Sequence, residues 1–171
     1  MDIKHGDIDM ATLVQEQEMF FNSFEPKTSN RFILFMDGLP TYTVRKCSRP
    51  SISQEPKQLP HINLIRFMKG RSVWAPIEME LYDPIVPSGA QAVMEWVRLH
   101  HESVTGRDGY ADFYKKDLIL NMLGPVGDKV EEWSIKGAQI TAAKFGEADW
   151  ATDEPIAIGL TIQPDYCILN Y

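Results

Sequence analysis

The sequence predicts a mainly β fold: an antiparallel two-sheet sandwich or barrel with one flanking α-helix and a long β-hairpin arm. Three observations carry this reading. Runs of alternating or β-branched residues recur along the chain and are separated by Gly, Pro and Asp turns. Strand runs joined by such short turns are the pattern of sandwiches and barrels. Only one stretch, residues 88–100, combines helical spacing with a clear capping signal. A chain of 171 residues that is 44% hydrophobic and 24% charged can bury a core as one domain, without repeats or a second composition.

Residues 1–8 are polar. From Asp9 a short helix is expected, with Asp9 as its cap and Leu13, Val14, Phe20, Phe21 and Phe24 near one face. That apolar load either folds back on the chain's own core or docks on a neighbouring subunit, which makes Phe20 and Phe21 candidate contact residues. Residues 1–28 are read as this separate segment and 29–171 as the β domain. A strand is expected over 31–36, then a turn at Asp37-Gly38-Leu39-Pro40, then a partner strand from Thr41.

The arm spans residues 41–74. It runs out to Cys47, passes Pro50, Pro56 and Pro60, and returns over 62–70. The alternation puts Ile62 and Leu64 on one face and Ile65 and Phe67 on the other. A strand in a one-sided sheet is apolar on one face only, and the prolines bar a central sheet position. The reading is an edge finished by another copy of the chain, since a bare edge invites aggregation. Ile52, Leu59, Ile62, Leu64, Ile65 and Phe67 are the candidate inter-subunit contacts.

Residues 77–82 alternate, with Ile77, Met79 and Leu81 inward and Glu78 and Glu80 toward water. The helix follows, with Ser88 as cap, Gln91 three residues on, and Val93, Trp96, Val97 and His100 at helical spacing. His100 and His101 are adjacent, so they point about 100° apart and are poorly set to share a metal. Residues 105–116 read as a polar loop whose Tyr110 and Phe113 are further candidate contacts. Strands are expected over 117–123 and 130–136, with a bulge or bend at Gly137 and extended chain to Lys144. An acidic loop around Trp150 precedes the last long strand, with Ile156, Ile158, Leu160 and Ile162 inward.

No nucleophile elbow, zinc spacing, Walker loop or dinucleotide fingerprint is present. No catalytic residue, metal or cofactor is therefore expected. Cys47 and Cys167 lack metal-ligand spacing and read as buried free thiols. Net charge is −7, without the basic patch of a tight nucleic-acid binder. Neither a membrane-length apolar run nor a signal-peptide pattern occurs, so synthesis in the cytoplasm is expected.

Several features in this order resemble the tail tube proteins of contractile-tailed bacteriophages, which are similar to the tubes of type VI secretion and other injection particles. They are Lys69-Gly70 followed by Trp74, an alternating strand before a Trp-containing helix, the step Ile135-Lys136-Gly137-Ala138, and the closing Gln163-Pro164-Asp165-Tyr166. The resemblance covers about residues 29–168. It implies a structural protein whose copies form hexameric rings, each adding four strands to a shared inner β-barrel. Stacked rings would make the inner tail tube of the virion. The implied partners are further copies, the tail sheath, the baseplate and the tail terminator, with duplex DNA as passing cargo and no membrane. At ~4.8 Å per strand, six sets of four strands give a circumference of roughly 115 Å and a diameter of roughly 37 Å, enough for duplex DNA. A negative conduit would repel phosphates. A tube initiator, a bacterial injection tube or a small-molecule-binding β-barrel are the other readings.

Overall fold

The computed structural model describes residues 25–170. The chain divides into a unit of residues 1–30 and a unit of residues 31–171. In the first, residues 25–28 carry no regular structure and 29–30 form a turn; the expected helix with Phe20 and Phe21 lies outside the described residues.

The described residues of the second unit contain eleven strands. Sheet A has the order β1 (Phe32–Met36), β8 (Lys116–Leu123), β9 (Lys129–Lys144), β11 (Tyr166–Leu169). Sheet B has the order β9, β10 (Ala157–Gln163), β7 (Ile77–Tyr82), β2 (Val44–Cys47). All pairs are antiparallel, as the alternating runs and short turns predict. The 16-residue β9 belongs to both sheets: its first half pairs with β8 and β11, its second with β10.

The change of sheet happens at Gly137, whose φ of 63° is a left-handed conformation. Its N–H donates to Asp117 Oδ1 at 3.2 Å. Asp117 also pairs with Lys136 at 2.7 Å, and that hydrogen bond is the main cause that holds its carboxyl below the ordinary range. Leu34, Leu118, Leu120 and Ile135 from sheet A meet Ile77, Leu81, Ile158 and Ile162 from sheet B in one core. Burial drives these contacts at about 25 cal/mol per Å² of apolar surface.

The expected helix forms as α1 (Gly89–His100). Ser88 Oγ accepts from Gln91 N–H, and Val93 and Trp96 are buried. Trp96 Nε1 donates 2.6 Å to the carbonyl of Tyr114, at the end of a short helix α2 (Ala111–Tyr114).

Outside the arm, four expectations need correction. Thr41–Thr43 is a turn of 3-10 helix, not a strand, because Pro40 starts a turn that the Thr43 hydroxyl closes onto the Pro40 carbonyl at 2.7 Å. β1 and β2 do not form a hairpin together; β1 pairs with β8 in sheet A and β2 with β7 in sheet B. Residues 105–116 are not simply a loop, since α2 and a bridge between His101 and Asp108 organise them. Ile156 lies before β10 and is exposed, so the inward face of that strand begins at Ile158.

Candidate functional site: an unpartnered arm and two open sheet edges

The arm leaves sheet B after β2. It is built from two short ribbons: β3 (Ile52–Gln54) with β6 (Ser72–Trp74), then β4 (Lys57–His61) with β5 (Leu64–Met68). Its root is fixed by Ser48 N–H to the Glu78 carbonyl (2.8 Å), Ala75 N–H to the Ser51 carbonyl (2.9 Å) and Gln163 Nε2 to the Trp74 carbonyl (2.9 Å). Every residue of β4 and β5 is exposed. In an antiparallel pair, partners share a face. Leu59, Leu64, Arg66 and Lys57 therefore share one side of the outer ribbon, and Phe67, Ile65 and Pro60 share the other. Among the described residues no layer packs against this ribbon, and a two-stranded ribbon with two apolar sides left uncovered is marginal in water. Pro60 is tolerated here because the ribbon has no further strand.

Ile62 departs from the expected alternation. It is not on a strand face with Leu64 but occupies the two-residue turn, with φ of 49° and 93% exposure. A positive φ at the first turn residue normally takes glycine, and a β-branched residue there is strained. The tip of the arm therefore holds an apolar side chain out at a cost in backbone energy.

Beneath the root lies a buried carboxylate. Glu131 on β9 is 3% exposed. One oxygen, Oε1, accepts from both Arg49 Nη2 and Trp133 Nε1. Arg49 directly precedes Pro50, so this ion pair ties the start of the arm to sheet A. Removing one partner of a buried pair strands the other charge, typically at 3–5 kcal/mol. Because the Arg49 side chain is half exposed, Arg49→Ala is expected to cost less, about 2 kcal/mol, read as a lower urea midpoint with an unchanged slope.

Sheet B ends in two open edges. Among the described residues no strand pairs with the far side of β2, nor with the far side of β9 beyond Ala138. Its outer face carries Lys46, Ser48, Glu78, Glu80, Ala142, Lys144 and Gly159 around a shallow depression of about 280 Å³. Arg45 lies 5.6 Å over the Tyr82 ring at the same side. That face has three cations against two carboxylates, so the acidic excess of the chain lies elsewhere.

Similar solved structures share this architecture. One, described as the sheath/tube terminator of the extracellular contractile injection system PVC, aligns with a TM-score of 0.70 and 16% identity over 87% of this chain and 99% of that one. The PVC sheath-tube complex gives 0.67 and 16%, over 91% and 96%. Hcp1 from Flavobacterium johnsoniae gives 0.52 and 16%, over 82% and 94%. The fold is that of contractile-injection tube proteins. No protein-family model matches the sequence of this tube-fold chain, and no curated protein does.

On the tube fold, the arm brings Leu59, Leu64, Ile65 and Phe67 onto one ribbon, with Ile52 nearer the root and Ile62 at the tip. Tyr110 and Phe113 are exposed outside the arm, and Phe113 lines a shallow depression with Leu99 at the end of α1. Sequence reasoning missed Glu131. Alternation from Ile135 and Trp133 places it inward; only its charge argued otherwise. Cys47 is half-buried and Cys167 buried, and loss of solvent pushes their thiols up to about 12 and about 11. Among the described residues no cluster of His, Cys, Asp and Glu could hold a metal, and no helix is long and apolar enough to cross a membrane.

Proposed function

We propose that this chain is the subunit of an inner tail tube. Copies join the β2 edge of one to the β9 edge of the next, so that sheet B runs around a ring and its polar outer face lines the channel. Six copies close the ring, rings stack through the arm, and the tube serves inside a contractile sheath between a baseplate and a terminator. The observation that carries this reading is the pair of open edges on a four-stranded sheet within the tube fold. Ring closure removes both edges. The similarity to a baseplate structure described as six-fold symmetrised, with a TM-score of 0.65 and 14% identity, supports the ring number.

The cargo of a bacteriophage tube is duplex DNA, delivered from the virion into the host. The channel face proposed here carries three cations against two carboxylates, so passage of DNA does not rest on repulsion of its phosphates by that face. A tube or terminator of a bacterial injection particle is the second reading, favoured by the neighbours just described.

Negative-stain microscopy of the purified chain tests the proposal. Long hollow tubes with six-fold end views are expected; single rings alone favour the terminator. A 19.5 kDa monomer at every concentration overturns the reading. Deleting residues 50–60 is expected to leave a folded subunit that forms no tubes.

A further inference from the structure

The segments that extend from the two ends of sheet B, residues 57–71 and 145–155, carry opposite charge. The register of β10 with β7 runs from Ala157 opposite Tyr82 to Ile162 opposite Ile77. At the Ile77 end the arm emerges, rooted by Ser48 and Trp74. At the Tyr82 end, roughly 17 Å away, lies the loop of residues 145–155, held there by Asp83 N–H to the Ile156 carbonyl at 3.3 Å. Residues 57–71 of the arm contain Lys57, Arg66, Lys69 and Arg71 and no carboxylate. The loop contains Glu147, Asp149, Asp153 and Glu154 and no lysine or arginine. Among the described residues none of these eight groups takes part in an ion pair. Both segments also expose large apolar side chains. The outer ribbon offers Leu64 and Phe67, and the loop offers Trp150, which is fully exposed, and Phe145.

We propose that the arm of one copy docks on the 145–155 loop of the next copy along the stacking direction. The contact is head-to-tail, because donor and acceptor lie at opposite ends of the same sheet, and repeated along the tube axis, where no rotation brings the ends together, it propagates into a filament. The apolar ribbon and Trp150 supply the contact area. The charges steer encounter and fix polarity, since two like ends repel. The proposal rests on the tube reading above and names the receiving surface that reading leaves open. The arm's exposed ribbon takes a second copy as its occupant because this chain itself carries the complementary end.

The test is a charge exchange. Asp149→Lys with Asp153→Lys, or Lys57→Glu with Arg66→Glu, is expected to raise the concentration needed for tubes at least tenfold in each case. A chain carrying all four substitutions is expected to recover. These positions are exposed, and circular dichroism confirms that each variant is folded. A second measurement needs no variant: carbodiimide treatment of an assembled mixture of isotope-labelled and unlabelled wild-type chains is expected to join Lys57 or Lys69 to a loop carboxylate between chains. Loop variants that assemble like wild type, a fourfold variant no better than its parents, or wild-type tubes without such cross-links overturn the contact while leaving the tube reading intact. A wild-type chain that never assembles removes the tube reading, and this contact with it.

Discussion

Gly137→Val is expected to destabilise the subunit by about 3 kcal/mol or more, a large share of the stability of an ordinary domain. Two independent costs meet at this position. A φ of 63° strains any residue with a Cβ, at roughly 1–2 kcal/mol for an ordinary side chain and more for a β-branched one such as valine. A Cβ there would also fall 2.2 Å from Asp165 Oδ2 and 2.7 Å from its Cγ. That carboxylate cannot simply swing away, because Lys115 holds it at 2.6 and 2.9 Å and the Asp165 N–H is bonded to the Lys136 carbonyl. Gly137→Asn separates the two costs, since asparagine tolerates the left-handed region yet still carries a Cβ. It is expected to recover part of the loss and no more. Urea unfolding of the three proteins is the measurement. A valine variant within 1 kcal/mol of wild type would show that β9 changes sheets without needing glycine.

Gly70→Ala is expected to act on assembly instead of on the fold. Gly70 lies between β5 and β6, opposite Glu55 between β3 and β4, where the inner and outer ribbons of the arm meet. A Cβ on Gly70 would sit 1.6 Å from the Glu55 carbonyl oxygen and 2.8 Å from its carbon. Both are main-chain atoms, so the strands themselves must part. The core residues of the two sheets lie outside this join. Thermal unfolding of the variant subunit is therefore expected to match wild type closely, while the concentration needed for tubes rises about a hundredfold. Melts followed by circular dichroism, with micrographs of the same samples, decide it. Normal tubes from Gly70→Ala would mean that the shape of the arm is not what the proposed stacking depends on.

Local pattern revealed most of the sheet body because parity is a short-range property. Ile77, Met79 and Leu81 alternate with Glu78 and Glu80, and burial follows that alternation. Leu118, Leu120 and Met122 behave the same way. The helix was equally plain, since Ser88 and Gln91 cap it and Val93 and Trp96 follow at the right spacing. What local pattern could not supply was pairing. The strand after Asp37-Gly38 looked like the return of a hairpin, yet its partner lies on β7, some 35 residues on. Ile62 read as a strand residue because it is β-branched, and only the register of His61 with Leu64 shows it to be the turn. Glu131 was hidden for a different reason. Its position says inside and its charge says outside, and the tie is broken by Arg49, 82 residues away in the chain. Lys69-Gly70 and Lys136-Gly137 are legible in the sequence as signatures without a cause. The structure supplies one for each, a close approach of main chains at Gly70 and a left-handed corner at Gly137.

The passage of β9 through both layers has a mechanical corollary. Two layers held together only by side-chain packing can shear when one of them is pulled. Here a pull on the second half of β9 reaches the first half along covalent bonds, before any ladder of hydrogen bonds has to slide. A hollow filament assembled from such units would pass an axial jolt from wall to outer layer with little slip, and a subunit stretched along β9 is expected to behave as a single stiff body.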